Sequence, residues 1–432
     1  MRPLLLRHSL GFWVDPAAAY VALFGSSTNV VWLDSSDGSG RSYLGRASRV
    51  ATSSVLAVLR SELASNRTDV SGSGFSLGWV GWLGYEERFL TMGSDGRLGE
   101  SVFGFVDRAI EFDHAAGTMT LLALGRGMDE WRAEVAEALD ADGSVRPLRE
   151  PQGPVGQGSI AVWRDTDEEY LAMIAACQAS IAAGDAYQLC LTTSVAVDAT
   201  PDPVETYLRL RTSSPTHHGA LIRLGDTSLL SSSPEQFLSI TPEGVIESKP
   251  IKGTRPRGAT PAEDEALAAE LLASDKERAE NLMIVDLMRN DIGRVSEIGS
   301  VEVPNLLKVE TYAQVHQLVS TVRGQLASGL SPMDAVVACF PAGSMTGAPK
   351  SSAVKILDAL EGHPRGIYSG AFGYFGLDGR VDLAMTIRSI ILKPSGATIG
   401  TGGGITALSV PAEELAEVKL KAAALLDALG VQ

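Results

Sequence analysis

Residues 277–291 read ERAENLMIVDLMRND. The stretch continues a helix that opens near Pro261, a residue suited to a first helical turn, and runs to about Arg289. Glu277 and Glu280 stand three apart in it, so their carboxylates share a face. A second acidic helix spans 412–429 and stops before Gly430, with Glu414 and Glu417 on one face. Upstream, Thr166-x-x-Glu169 is a capping box. Tyr170, Ile174, Cys177 and Ile181 follow on one face, and Gly184 ends that helix. Strand-type segments lie between these helices at 187–197, 219–230, 237–249, 370–375 and 387–393. Long helices and many strands without a regular βαβ beat make this an α/β (α+β) chain rather than a Rossmann or barrel fold.

A Pro-, Gly- and Gln-rich run at 147–159 (PLREPQGPVGQGS) reads as a linker. It separates an N-terminal portion, 1–146, from a larger one, 160–432. The first portion should hold short strands at 20–24 and 30–33 and a helix across 49–63. A hairpin of 103–114 with 118–124 should turn at Ala115-Ala116-Gly117.

The 432 residues, 45% hydrophobic and 20% charged, suit a globular chain of two to three domains, or one large one, and argue against a disordered or fibrous one. No apolar run reaches the roughly 18 residues of a membrane span. The first residues lack a signal-peptide apolar region, so a cytoplasmic protein is expected. A formal net charge of −16 opposes nucleic-acid backbones and anionic membranes as partners. Cys177, Cys190 and Cys339 fit neither a zinc spacing nor a disulfide framework, which suits a reducing compartment.

Several residues carry chemistry. Lys252 follows a strand in an apolar-to-glycine turn. In a partly dry pocket such a lysine can become a nucleophile; at a strand end it can equally be a solvated cation. Glu235 follows Ser233-Pro234 in an apolar stretch. Burial would raise its pKa and suit it to proton donation, unless it is an ordinary loop carboxylate. The helix-borne carboxylates could converge on Mg²⁺, which seeks oxygen ligands, or could be solvated faces. Gly402-Gly403-Gly404 could bring backbone N–H groups to an anion or simply form a turn. Residues 343–350, GSMTGAPK, lack the Gly-Lys-Ser/Thr ending of a Walker loop.

Taken in order, SPEQF at 233–237, PIKGT at 250–254, the 277–291 stretch, 343–350, RGIYSGA at 365–371, TIR at 386–388 and GGGI at 402–405 resemble the chorismate-utilising enzymes. That family includes anthranilate synthase component I, aminodeoxychorismate synthase component I, and the isochorismate and salicylate synthases. The resemblance covers about 170–426. It implies a two-sheet sandwich flanked by helices, like anthranilate synthase component I, with the site in the second portion. Lys252 stands where anthranilate synthases usually carry alanine and aminodeoxychorismate synthases carry lysine. That implies the aminodeoxychorismate synthase component I reaction: chorismate plus ammonia to 4-amino-4-deoxychorismate, towards para-aminobenzoate and folate. Anthranilate synthase component I and 2-amino-2-deoxyisochorismate synthase are the alternatives. Gln188 replaces the lysine base of the water-using members, so those activities are disfavoured.

The resemblance also assigns roles. Lys252 would be the nucleophile, with its pKa brought well below the ordinary ~10.4, and Glu235 the acid for the departing hydroxyl. Glu280 and Glu417 would hold Mg²⁺, with Glu277 in or near its surroundings. Tyr368 and Arg388 would bind the pyruvyl-ether carboxylate. Gly402, Gly403, Gly404 and Lys421 would help hold the ring carboxylate, and Ser344 and Thr346 would line the ring site, with Gln188 and Thr254 also at the substrate. Residues of a glutamine amidotransferase are not found, so a separate amidotransferase subunit would supply ammonia from glutamine. Two departures stand out. Gln317 replaces the usual histidine, beside His316, and Leu408 replaces an aspartate.

Overall fold

A computed structural model describes residues 4–25, 27–65, 68, 74–93, 96, 99–125, 127–139, 159–312 and 314–431. Among them, twenty strands join into one hydrogen-bonded network whose ladders are all antiparallel. One arm runs in neighbour order Leu5–Ser9, Thr118–Leu124, Val102–Asp113, Arg41–Ala51, Val30–Asp34, His218–Leu224, Thr227–Ser233, Ser389–Lys393, Gly396–Ile405 and Gln188–Val197. The last of these also pairs with Ala161–Trp163 and Gly347–Ala348. The other arm leaves the first half of Val102–Asp113 and runs through Gly78–Leu83, Ala371–Gly376, Val381–Met385, Gln236–Ile240, Val245–Ser248 and Val315–Gln325. Ile251–Pro256 and Glu302–Thr311 pair with Val315–Gln325.

The two-residue period of the strands builds a sandwich from these arms. Val31 packs inward, with Ile222, Leu229 and Ile391, onto Val80, Trp82, Phe372 and Ala384 of the other arm. Val30 and Trp32 point the other way, into a cluster with Tyr20, Trp131, Tyr207 and Leu425 from helices on the outer face. Trp79 and Leu83 likewise turn outward, to a cluster that includes Val55, Ile284, Met288 and Val336. The glycine-rich 71–86 stretch has a steric reason at Gly81, where a Cβ would lie 2.0 Å from the Val102 carbonyl oxygen.

The capping box at Thr166 and the helix Asp167–Ala182 form as expected, with Gly184 at φ +86°. The hairpin of Val102–Asp113 and Thr118–Leu124 turns with Gly117 at φ +62°. Three expectations change. Residues 20–24 end a helix, Pro16–Phe24, because Asp15 caps it and Pro16 opens it. Residues 49–51 extend a strand, since Arg49, Val50 and Ala51 pair with Phe105, Gly104 and Phe103; the helix is Val55–Ser65. The long helix breaks into Pro261–Ala273 and Asp275–Gly293, because the Ser274 hydroxyl turns back to cap the Glu277 amide.

Of the 147–159 run only Ser159 falls among the described residues. The portions on either side are joined by two ladders, Val30–Asp34 with His218–Leu224 and Gly78–Leu83 with Ala371–Gly376. Residues 160–432 expressed alone should therefore expose two bare strand edges and half of the inner core. No cooperative thermal transition is expected from that fragment by calorimetry; a sharp, reversible one would contradict the shared-sandwich account.

Candidate active site

A cavity of about 820 Å³ lies where the two arms meet the helices Asp275–Gly293 and Pro411–Ala428. Lys252 reaches it through a backbone irregularity. Ile251 faces Val319 and Thr254 faces Gln317, so three steps on one strand run against two on the other. The extra residue is a bulge at Lys252-Gly253, with Gly253 at φ +83°. A side chain there would strike Leu271 and Glu277 at 2.7 and 2.9 Å. Bulges re-aim side chains, and this one brings both Lys252 and Thr254 to the cavity wall.

The electrostatics around Lys252 differ from the expected depression. Burial works against its charge, but the carboxylates of Glu280, Glu235 and Glu417 outweigh burial and leave the ammonium favoured above its ordinary range. Glu235, buried just beyond the strand Thr227–Ser233, moves as expected. Burial raises its pKa, against the pull of Lys252, a hydrogen bond from the Ser344 hydroxyl, and Lys421. Ser344 sits in a 3₁₀ turn, Gly343–Met345, pressed on the helix that carries Glu280: a Cβ on Gly343 would lie 2.6 Å from Leu287.

The acids line one wall. Burial raises the pKa of Glu280, and Glu277 and Glu414 add to it. Burial pushes Glu417 the same way, but Lys421, whose Nζ lies 2.6 Å away, overrides it and leaves Glu417 lowered. Lys421 also donates to the Gly402 carbonyl at 2.9 Å. Glu277 faces Arg255 at 3.7 Å. Among the described residues, no three acidic, histidine or cysteine groups stand close enough to hold a metal unaided.

Arg388 closes the opposite end. It lies between strands at φ +49°, a strained conformation for a residue with a side chain. It makes no ion pair among the described residues, and burial lowers its pKa. A guanidinium that faces the cavity without an ion-pair partner is an anion site in waiting. Tyr368 lines the cavity beside it, and the ring has room because residue 400 is glycine. Gly402, Gly403 and Gly404 pair with Thr192, Leu191 and Cys190 on one side only. Alternate amides of this strand therefore point away from the ladder.

Two of the expected substrate residues stand behind the wall rather than in it. Thr346 is fully buried, its hydroxyl donating to the carbonyls of Ala342 and Gly343. Gln188 is also buried; its Nε2 lies 2.5 Å from where a Gly404 Cβ would be, and its Oε1 has no partner. Gln317 lines the cavity, whereas His316 is turned away to Thr311 and Asp264. The site also includes residues the sequence reading did not assign. Lys276, bonded to Glu414 at 3.0 Å, brings a cation one turn before Glu280, a spacing that could have signalled it. Cys190 lines the same wall.

The chain belongs to the chorismate binding enzymes: the family model matches residues 24–427. It is 47% identical to the aminodeoxychorismate synthase of Streptomyces griseus over 89% of this chain and 54% of that protein. With the aminodeoxychorismate synthase of Streptomyces pristinaespiralis it shares 43% identity, over 96% of this chain and 64% of the other. The chain thus spans roughly half to two thirds of the length of these relatives. Anthranilate synthase component I from Streptococcus pneumoniae superposes with a TM-score of 0.74 at 27% identity, covering 98% of this chain and 92% of that one.

At Gly400, a Cβ would lie 2.0 Å from Cγ of Tyr368. Gly400→Ala should therefore cost about 1–3 kcal/mol of stability through overpacking. Denaturant titration of the variant checks this; an unchanged midpoint would show that Tyr368 has slack.

Proposed function

We propose that this chain is the aminating component of an aminodeoxychorismate synthase, converting chorismate and ammonia to 4-amino-4-deoxychorismate. The observation that carries the reading is the Lys252 amine at a bulge in the cavity wall, coupled to Glu235 on one side and Glu280 on the other. The similarity to two aminodeoxychorismate synthases supports it.

The steps balance. The neutral Lys252 amine adds at ring C2, the double bonds shift, and the C4 hydroxyl leaves as water with the proton of Glu235. Ammonia then adds at C4 and gives its surplus proton to the Glu235 carboxylate, the bonds shift back, and the C2–N bond breaks to return the neutral Lys252 amine. Arg388 and Tyr368 hold the pyruvyl-ether carboxylate; Lys421, the outward amides of 402–404 and Ser344 hold and line the ring end. Glu235 needs its raised pKa to carry a proton at neutral pH. The resting Lys252 ammonium must first lose one.

Glu280 and Glu417 fit Mg²⁺, with Glu277 near them: they are hard oxygen donors on one wall, and such a cation uses one or two carboxylates with substrate and water completing its shell. When bound it would counter the ring carboxylate and take up the acidic charge that otherwise holds the Lys252 proton. Ammonia would come from glutamine through an amidotransferase subunit, and the product would feed para-aminobenzoate and folate synthesis. Three free, buried cysteines and the lack of any helix long and apolar enough to cross a membrane, among the described residues, fit a cytoplasmic setting.

Mass spectrometry of the product from chorismate, ammonium and Mg²⁺ tests the reading, with 4-amino-4-deoxychorismate expected. Anthranilate or 2-amino-2-deoxyisochorismate as the main product would replace it with one of the alternatives. Lys252→Ala should lose most C4 amination, and Lys252→Arg likewise, because guanidinium stays charged. Unchanged product from Lys252→Ala removes the covalent step. Glu280→Gln or Glu417→Gln should keep the fold by circular dichroism but drop turnover at least ~100-fold. Full activity in excess EDTA would remove the metal.

A further inference from the structure

Arg365 does not line the cavity, yet it lies directly behind it. Its guanidinium uses every face. Nε donates to Glu361 Oε2 at 2.8 Å and Nη2 to Glu361 Oε1 at 2.7 Å, a bidentate pair with both side chains almost fully buried. Nη1 donates to the Met345 carbonyl at 2.7 Å and to Ser369 Oγ at 3.4 Å; Nη2 also donates to the Cys190 carbonyl at 2.9 Å. Its flat face rests on the Tyr85 ring, 4.4 Å from the centroid. Glu361 is tied in turn to the amide and hydroxyl of Thr192, the residue paired with Gly402.

Met345 and Cys190 meet at one seam, where the Cys190 amide donates to the Thr346 carbonyl at 2.9 Å and Gly347 pairs with Leu189. Met345 follows Ser344 in the turn whose hydroxyl meets Glu235. Cys190 lies on the strand Gln188–Val197, paired with Gly404 of the glycine run. One rigid fork thus adds side-chain links to the seam at which the turn beside the acid joins the strand behind the glycine run.

We infer that Arg365, held by Glu361, is the positioning residue for the Glu235 acid: it fixes the Ser344 turn against the Cys190 strand and so sets the hydrogen bond from Ser344 to Glu235. The inference rests on Glu235 serving as the acid in the reading above. A lysine at 365 keeps the charge but has three donors on a point-like head, and cannot span both carbonyls and Glu361 at once.

The test reads Glu235 itself. Ser344 lowers the pKa of Glu235, so loosening the turn should raise it. Activity that needs protonated Glu235 declines as pH rises through that pKa, so the alkaline limb of kcat should move to higher pH. Lys252 and Lys421 also face Glu235, from the strand Ile251–Pro256 and the helix Pro411–Ala428, and are retained in every variant. Arg365→Lys should lose kcat on the order of 100-fold, from misplacement, and shift the limb upward. Ser344→Ala should shift it the same way, and the double variant should go no further.

Difference infrared titration of the Glu235 carboxyl, assigned with Glu235→Gln, should show the same upward shift without turnover. A chain that fails to aminate chorismate would defeat the function reading, whereas an unmoved Glu235 titration, or shifts that simply add, would defeat this one. If Arg365→Lys does not fold, Glu361→Gln carries the same comparison, because it keeps the guanidinium while loosening its anchor.

Discussion

A lysine amine held among three carboxylates is the constraint on which the cleft depends. Burial would strip the proton from Lys252, and burial would equally neutralise Glu235 and Glu280. Only together do the charges survive out of water. Each acid keeps the amine charged, and the amine offsets the desolvation of each acid. The charge balance is nonetheless left open at the far end, where Arg388 faces the cavity and makes no ion pair among the described residues. A ligand with two separated carboxylates, one meeting Arg388 and one facing the acid wall through a cation, would complete it. The overall charge of −16 would then be met locally, at Arg388 by the guanidinium and at the acid wall by the bound cation.

The backbone delivers these groups by small departures from regular geometry. At Lys252-Gly253 an extra residue turns the amine into the cavity, and at Arg388 a left-handed conformation stands between two strands. Strain of this kind persists only where the surroundings over-determine it. The Arg388 carbonyl accepts from the Ser232 amide at 3.0 Å, so the kink is clamped to the strand leading into Glu235. The groups read as acid and anion holder thus share one backbone connection.

Much of this was legible in the sequence, but unevenly. Local codes read well: the capping box at Thr166, the Gly117 hairpin and the alternation of 30–33 act within a few residues and need no partner. The missed elements were decided at a distance. Residues 49–51 carry helical periodicity but are claimed by the ladder with 103–105, and a single serine, Ser274, split a helix whose apolar period runs through it unbroken. In the site, the motif residues Lys252, Glu235, Arg388 and Tyr368 do converge on one cavity. Thr346 and Gln188 were read as lining residues because sequence spacing does not tell the two faces of a wall apart. The role of Arg365 is invisible because, beyond its pair with Glu361, it depends on the carbonyls of Met345 and Cys190, which no residue type encodes. Lys252 shows the limit for energetics: its position follows from the motif, but its charge state depends on three acids from three other elements.

The pairing that closes the sandwich also governs how the chain reaches it. The Ser76 hydroxyl meets Asp378, 302 residues further on, and Glu86 receives the amide of Arg365 across 279. During synthesis, Val30–Asp34 must wait for His218–Leu224, and Gly78–Leu83 for Ala371–Gly376, before either strand edge is covered. Contacts of such range are slow to form and leave apolar edges exposed meanwhile. The strands 30–34 and 78–83 thus stay open to aggregation until 218–224 and 371–376 have been made. A cell making it in quantity would depend on chaperone capacity, or slow translation, more than on the stability of the finished molecule.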